Sequence, residues 1–361
     1  MTTRLPSFAL IIACAFASAP ASAQTTTTAP ARGPEIRRGV EMSGDRESRS
    51  RQFYERAIRK VEPTLKGNPA RIPLYLELFK REFVEDTRTF AVELNTDGTT
   101  LRGHVEFPEH KAALTNLFKH LALDVKDEVE LLPSPALGDK RFGVVTANQT
   151  FVRSRPVPAG AATRSENLTD CVRGDTLFVL KETDTGHLLC HAPDGYVGYV
   201  NGADVRRIDD TEFAALNDAR PVRHPERIEQ VITEAQKFLG TPYVWAGGTR
   251  EGCDCSGLVR ASFKAAGVVM PRDADQQSLV GRLVGTRWSR ASLRRGDTLF
   301  FLGRRGNISH TAIYLGDGKM IEATSPVVTI SNFDVVTDAD ADSAGDRGPE
   351  DRFCYAKRVI E

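Results

Sequence analysis

The run GTPYVWAGGTREGCDCSGLV, from Gly240 to Val259, is the stretch around which the rest of the chain can be interpreted. It places two cysteines, Cys253 and Cys255, two positions apart and follows them with apolar residues at helical spacing. A cysteine at the start of a helix lies where backbone N–H groups and the helix dipole favour a thiolate. The run therefore predicts a nucleophilic cysteine at a helix N-terminus, and its spacing alone leaves open which of the two that is.

A thiolate nucleophile needs a base that exchanges a proton with it. One helix is predicted from Pro225 to Leu239 and another from Cys255 to Gly267, and three strand-like runs follow, DTLFFLG, HTAIYLG and MIEATS. His310 begins the second of these runs, whereas His224 and His187 lie in linker or turn contexts. His310 is therefore the predicted base.

The predicted orienting group for this base is Glu322. It lies twelve positions after His310, across the tight turn Gly316–Gly318, so we expect the two side chains to lie opposite each other in a hairpin. A carboxylate there accepts the imidazole N–H and selects the productive tautomer. An isolated cysteine and histidine more often form a buried thiol and a core histidine. The joint pattern instead favours a papain-like arrangement, in which a cysteine-bearing helix packs on an antiparallel sheet that carries the histidine.

Four segments resemble, in order and spacing, the NlpC-type family of bacterial cell-wall cysteine peptidases: PYVWAGG…DCSGLV, MPRDADQQ, LRRGDTLFF and SHTAIYLGDGKMIEA. The resemblance covers residues 223–361 and implies an α+β, papain-like catalytic domain. It implies that Cys255 is the nucleophile and His310 the base. Glu322 falls on the third polar position, where the family often has His. Tyr243 falls on the family's active-site tyrosine, whose hydroxyl would stabilise an oxyanion beside the Cys255 N–H.

The same resemblance implies a substrate. The family cleaves amide bonds in peptidoglycan stem peptides, typically between γ-D-glutamate and a diamino acid. It further implies that Asp254 and Ser256 bind the free amine of an N-terminal L-alanine, and helix capping is the alternative for Asp254. We therefore expect a γ-D-glutamyl-L-diamino acid endopeptidase that acts on muropeptides or free stem peptides.

The resemblance also separates the two cysteines of the opening run. Cys253 occupies a position that the family commonly fills with an apolar residue, which favours packing. A Cys253–Cys255 link would consume the nucleophile, so oxidation there would switch the site off. We expect no cofactor. We also expect no metal, because Ser343 stands where a calcium loop built on Asp338, Asp340 and Asp342 would need Gly.

The region 39–140 reads as helical and α+β. Apolar residues recur at helical spacing around Ile58 and again after Pro73, TFAVELN and LRGHVEF alternate across a turn as a hairpin, and a helix and a strand follow. A divergent, helix-inserted copy of an SH3-like domain is the alternative interpretation of this region.

Residues 141–208 contain short strand-like runs that are separated by turn signals, a spacing typical of a small β-barrel. The order RSRP, GDTLFVL and PDGYVGYV resembles the bacterial SH3-like domain that accompanies cell-wall enzymes. RGDTLF occurs twice, beginning at Arg173 and Arg295, and both copies predict a Gly-Asp turn that leads into an apolar strand. Residues 209–222 are predicted to be a linker.

The first residues predict export. Residues 1–23 combine an early arginine, a short apolar stretch and the tripeptide Ala21-Ser22-Ala23, which are features of a signal peptide, and 24–38 read as a linker. A lipoprotein anchored through Cys14 is the alternative. No other segment of the sequence predicts a membrane span. We expect a periplasmic or secreted protein whose five remaining cysteines leave at least one free thiol, with Cys171 and Cys190 as a candidate bridge.

Composition narrows the function classes. The 361 residues favour two or three domains, and 40% hydrophobic with 27% charged residues is ordinary for a globular protein. Lys+Arg and Asp+Glu both number 48, which argues against a nucleic-acid binder. We expect a monomer. Two alternatives to the peptidase remain: a non-catalytic cell-wall-binding protein, and an amidase or acyltransferase that uses the same Cys-His site.

Overall fold

The structure is a computed structural model that describes residues 54–84, 88–96, 98–157, 165–303, 306–333 and 353–361. The predicted signal peptide, the linker 24–38 and the acidic loop around Asp340 lie outside these residues. All described residues belong to one compact unit, Ser50–Glu361.

The N-terminal part of this unit is a small α+β structure. Its elements are α1 (Ile72–Phe83), β1 (Phe90–Leu94), β2 (Thr100–Val105), α2 (Pro108–His120) and β3 (Lys126–Leu131). β1 and β2 form the predicted hairpin, with Phe90 opposite Val105, but β2 and β3 run parallel because α2 crosses over between them. This parallel pair joined by a helix differs from an all-antiparallel small barrel, and the divergent, helix-inserted SH3-like copy stays a prediction.

The middle part is an antiparallel sheet. Its strands are β4 (Phe142–Val145), β5 (Gln149–Arg153), β6 (Asn167–Val172), β7 (Thr176–Glu182), β8 (His187–His191), β9 (Val197–Asn201) and β10 (Val205–Ile208). The strand order is β10-β4-β7-β8-β9-β5-β6, and among the described residues no ladder joins the two edge strands. The SH3-like barrel therefore stays a prediction. The Gly-Asp turn before β7 is as predicted, with Gly174 at φ +91.

The segment 209–222 is not the linker that was predicted. It contains the helix α3 (Asp210–Asp218), and the Asp209 side chain caps this helix by accepting from the Glu212 N–H. Phe213 is fully buried and stacks on Phe142, with ring centroids 3.8 Å apart. This long-range contact fixes the helix, and a short polar segment does not reveal it.

The C-terminal part combines helices with a second antiparallel sheet. The helices are α4 (Pro225–Gln236), α5 (Cys255–Ala265) and α6 (Ala274–Gln277). The strands are a short pair, β11 (Gly248–Thr249) and β12 (Gly252–Cys253), and the six strands β13 (Arg282–Thr286), β14 (Thr298–Leu302), β15 (Ile308–Gly316), β16 (Lys319–Ala323), β17 (Val328–Asn332) and β18 (Phe353–Arg358). Their order is β13-β18-β14-β15-β16-β17.

The predicted layering of helix on sheet is present in this part. Val259 and Phe263 of α5 share one buried cluster with Ile313 of β15 and Ile321 of β16. The helix that carries Cys255 therefore packs directly against the strands that carry His310 and Glu322. Single turns of 3-10 helix lie at Pro69–Arg71, Pro135–Leu137 and Gly202–Asp204, and residues 54–58 are helical, as the spacing around Ile58 predicts.

One buried cluster joins all three parts, with Phe107 from the first, Phe178 from the second and Tyr355 from the third. Glu106, 1% exposed, lies in the middle of it and accepts hydrogen bonds from His191 Nε2 at 2.7 Å and from the Tyr355 hydroxyl. Burial by itself would raise the pKa of Glu106, but His191 and the nearby Arg88 together hold it at about 2. A charged carboxylate thus ties the three parts together.

Removing this carboxylate should destabilise the fold. We expect Glu106→Gln to cost about 3–5 kcal/mol at pH 7, because it removes the buried negative charge beside Arg88 and His191. The folded pKa lies below the value of 4.5 expected when unfolded, so the contribution of Glu106 is present above about pH 4.5 and lost towards pH 2. Urea unfolding across this range measures it. Glu128→Gln, at an exposed carboxylate on β3, should leave the midpoint unchanged, and equal effects of the two substitutions would contradict the assignment.

A second contact joins the first part to the hairpin that carries His310. Gly306, in the loop before β15, has φ +78, and a Cβ added there would lie 2.2 Å from Cδ2 of the His110 ring. His110 is fully buried and its pKa is lowered to about 4 by that burial, so its ring is neutral and has little room to move. The loop can follow this path only without a side chain at position 306.

Two glycines of the same sheet separate backbone strain from collision. Gly316 has φ +87, and a Cβ there would meet nothing within 4 Å. Gly316→Ala should therefore cost only the strain of a left-handed residue, about 1–2 kcal/mol, whereas Gly306→Ala should cost a further ~1–3 kcal/mol from overpacking. Adding His110→Ala to Gly306→Ala should recover part of the unfolding midpoint, and equal midpoints for the two single variants would contradict the contact.

Candidate active site

Cys255 is the first residue of α5, as the sequence predicts, and it is buried with 7% of its surface exposed. Asp254 is the N-cap: its backbone is extended and its Oδ1 accepts from the Gly257 N–H at 2.7 Å. An Asp cap followed by small residues begins a helix at the cysteine. The Sγ atom therefore lies at the positive end of the helix dipole, where a thiolate is favoured.

His310 and Glu322 meet on neighbouring strands of the sheet. His310 Nε2 lies 2.5 Å from Glu322 Oε2. The prediction that the two residues lie directly opposite each other is wrong in detail, because Ile313 pairs with Ile321 and the register therefore sets Glu322 opposite Ala312. The pair is diagonal, a separation that long side chains bridge. With Nε2 bound to Glu322, Nδ1 is the ring nitrogen that can serve Cys255.

The charges of the three groups reinforce one another. Burial raises the pKa of Cys255, but the hydrogen bond and charge of His310, together with the Thr311 backbone, bring it below its ordinary value of 9.0. Burial likewise lowers the pKa of His310, yet hydrogen bonds and charges from Cys255 and Glu322 raise it to about 9. Each group therefore favours the charged form of the other, so the site favours a thiolate–imidazolium pair.

Tyr243 lies beside this pair. Its N–H donates to the Pro326 carbonyl at 2.9 Å, which joins the segment before Cys255 to the loop that precedes β17. Burial first, and then the negative charge of Cys255, raises the pKa of Tyr243 to about 12. The phenol therefore keeps its proton at neutral pH, and this is what an oxyanion donor needs.

Asp254 and Ser256 lie next to the nucleophile, and both are buried. Asp254 Oδ2 accepts from the Ala246 N–H at 2.8 Å and from Arg272 Nη2 at 2.7 Å. Arg272 Nη1 also donates to the Ser256 hydroxyl at 2.8 Å. The capping alternative for Asp254 is thus present in the structure, and an arginine already occupies the polar atoms that were predicted to bind an amine.

Sequence reasoning missed two residues of this site. Arg272 lies in the quoted segment MPRDADQQ, so its position was available but its contact with Asp254 was not. Ser331 of β17 donates its hydroxyl to Glu322 Oε1 at 2.5 Å, and no pattern in the sequence marks it.

The remaining cysteines are not part of the site. Cys253 is fully buried, belongs to the core between α4 and α5, and has its pKa raised to about 11 by burial. Its surroundings match the predicted packing role. Cys171 and Cys190 share the core of the middle sheet as free thiols, so the candidate bridge is not formed.

Within the described parts of the chain, no group of His, Cys, Asp and Glu side chains has the arrangement of a metal site. In those same parts, none of the helices combines the length and apolar character that crossing a membrane requires.

Comparisons with known proteins bear on the same segment. Residues 240–338 match the model of the NlpC/P60 family. A γ-DL-glutamyl hydrolase of Bacillus subtilis is 35% identical over 48% of this chain and 44% of its own length. A γ-D-glutamyl-L-lysine dipeptidyl-peptidase of Bacillus cereus is 36% identical over 33% of this chain and 34% of its own. The chain thus spans less than half the length of these relatives. The crystal structure of an NlpC/P60 family protein from Bacillus cereus is 25% identical, with a TM-score of 0.32, over 62% of this chain and 64% of that one.

The ion pair predicts how Cys255 reacts. Its alkylation by iodoacetamide should follow a pKa below 9, and His310→Ala should raise that pKa, because the hydrogen bond and the charge of His310 that oppose the effect of burial are then lost. Mass spectrometry of the labelled peptide measures the rate against pH. Cys253→Ala, which removes the neighbouring buried thiol, should leave the profile unchanged. A profile that His310→Ala does not shift would contradict the ion pair.

Proposed function

We propose that this protein, whose residues 240–338 match the model of the NlpC/P60 family, is an exported cysteine endopeptidase of peptidoglycan stem peptides. The bond we propose is the amide between γ-D-glutamate and a diamino acid. The names of the relatives support a γ-glutamyl substrate, since one is a γ-DL-glutamyl hydrolase and another a γ-D-glutamyl-L-lysine dipeptidyl-peptidase. The predicted signal peptide supports action outside the cytoplasm.

The observation that carries this proposal is the continuous line from Cys255 through His310 to Glu322. A buried thiol at a helix N-terminus, a histidine with its pKa raised to about 9 and a carboxylate 2.5 Å from that histidine are the parts that acyl transfer needs. A wall-binding protein without catalysis would have no use for this arrangement. The same line supports a role for Glu322 as the orienting group.

The reaction proceeds through a thioester. The Cys255 thiolate attacks the γ-carbonyl carbon, and the oxygen takes the negative charge beside the Tyr243 hydroxyl and the Cys255 N–H. The His310 imidazolium then donates its proton to the departing amine as the C–N bond breaks. Neutral His310 next takes a proton from water, hydroxide displaces the thiolate and the glutamyl carboxylate leaves.

We propose that the substrate carries a free N-terminal amine, for which Asp254 and Ser256 supply a carboxylate and a hydroxyl beside the nucleophile. Arg272 now donates to both, and an ammonium group would have to displace it from Asp254 Oδ2. The proposal therefore requires Arg272 to move when substrate binds, a change that exchanges one charge-assisted hydrogen bond for another.

We propose that the middle sheet is SH3-like and forms one side of the substrate cleft. The turn between β8 and β9 reaches the catalytic part: a Cβ added at Gly195 would lie 2.5 Å from Leu279, which follows α6. Lys357 of β18 donates to the Pro193 carbonyl of the same turn at 3.3 Å. A wall at this position would favour short, already trimmed peptides over long glycan-linked stems.

Mass spectrometry of products from L-Ala-γ-D-Glu-diamino acid peptides tests the proposal. We expect the dipeptide L-Ala-D-Glu, with Cys255→Ala reducing kcat/KM by at least ~10³-fold, because the nucleophile is lost. Glu322→Gln should reduce it by a smaller factor, because the nucleophile and base remain. Cleavage that survives in Cys255→Ala would contradict the mechanism, and acyl transfer to added amines instead of water would favour the acyltransferase alternative.

The same assay with an acetylated N-terminus separates bond choice from amine recognition. We expect acetylation to lower kcat/KM at least tenfold, since it removes the charge that pairs with Asp254. Equal cleavage of the free and acetylated peptides would leave Asp254 and Ser256 with the capping role alone.

A further inference from the structure

Ser331 lies at the far end of the catalytic line. It belongs to β17, the edge strand beside β16, in a register that pairs Ser331 with Met320 and Thr329 with Glu322. Its hydroxyl donates to Glu322 Oε1 at 2.5 Å. His310, Glu322 and Ser331 thus come from three adjacent strands, β15, β16 and β17.

The two hydrogen bonds use different oxygens of one buried carboxylate. Glu322 is 4% exposed, with Oε2 facing His310 and Oε1 facing Ser331. The terminal torsion of a glutamate is broad, so each hydrogen bond to the carboxylate narrows the range of its plane. The Ser331 donor on Oε1 does so and also stabilises the charged form, which a buried site otherwise disfavours.

The hydroxyl is not needed to hold the strand. β17 pairs with β16 through backbone hydrogen bonds from Lys319–Asn332 to Ala323–Val328, and this ladder does not involve side chains. Ser331 itself is only half-buried. The hydrogen bond to Glu322 is therefore the contact through which its side chain acts.

We propose that Ser331 is a positioning residue for catalysis, which holds the Glu322 carboxylate in the plane and charge state that keep His310 protonated and oriented towards Cys255. This rests on the proposed function for its chemistry, but its effect on the thiol does not depend on the substrate. Without the Ser331 hydroxyl, Glu322 binds His310 less strongly and the imidazolium is less stable. The pKa of Cys255 then rises and that of His310 falls.

Four variants test this: Ser331→Ala, Ser331→Thr, Glu322→Gln and Asn332→Ala. Threonine keeps a hydroxyl on a residue suited to a strand. Asn332 is the matched control, because it is the exposed next residue of β17 and its side chain points to the other face. Two profiles against pH are measured, the alkylation of Cys255 by iodoacetamide and kcat/KM on L-Ala-γ-D-Glu-diamino acid peptides.

For Ser331→Ala we expect kcat to fall about three- to tenfold with KM within about twofold, the scale of one hydrogen bond. The acid limb of alkylation should move to higher pH and the alkaline limb of kcat/KM to lower pH, in the same directions as for Glu322→Gln but less far. Ser331→Thr should restore most of both profiles, and Asn332→Ala should match the parent. A merely structural serine would lower the unfolding midpoint and leave the limbs in place.

The outcomes separate the two proposals. If the parent protein cleaves no stem peptide but Ser331→Ala still shifts the alkylation limb, the proposed function fails and the positioning role stands. If the parent cleaves the peptide but Ser331→Ala alkylates with the parent profile, the positioning role is overturned and the function stands. Failure of Ser331→Thr to restore the limb would also overturn it, since the hydroxyl would then not be the cause.

Discussion

A buried imidazolium is stable only when negative charge surrounds it, and this constraint governs the candidate site. Burial alone lowers the pKa of His310, and only the thiolate of Cys255 and the carboxylate of Glu322 reverse that effect. Each of these two must itself be kept charged in a buried place. His310, the Thr311 backbone and the position at the start of α5 do this for Cys255, and the Ser331 hydroxyl contributes to it for Glu322. Each charged group of the site therefore depends on the next, from Cys255 at the start of α5 to Ser331 on the edge strand β17.

The surrounding fold holds these groups in fixed positions. His310 lies on a strand whose neighbours are themselves anchored, because β14 pairs with β15 on one side and with β18 on the other. Tyr355 of β18 reaches out of the catalytic part to Glu106, and Gly306 lets the hairpin lie against His110. The first part of the unit thus contacts the C-terminal sheet close to the strand that carries His310.

Local sequence signals predict where several helices and strands begin. The elements and site residues that depend on contacts between distant parts of the chain were missed. Asp254 before a run of small and apolar residues predicts the helix start, and Gly-Asp before an apolar run predicts the strand starts, because capping and turn chemistry act within a few residues. The helix α3 was missed because Phe213 is fixed by Phe142, far away in the chain. Arg272 and Ser331 were missed for the same reason: each matters through a partner that only the folded sheet and helix bring near.

The cluster around Glu106 has a consequence for modularity. A protein built from independently folding domains would tolerate replacement of its N-terminal domains. Here Phe107, Phe178 and Tyr355 bury one another, and each comes from a different part of the chain. The C-terminal part on its own would therefore expose an apolar surface that includes Tyr355. A fusion of the C-terminal part to a different N-terminal domain would have to supply another surface that covers these apolar residues. The buried cluster therefore makes the C-terminal part depend on the two parts that precede it.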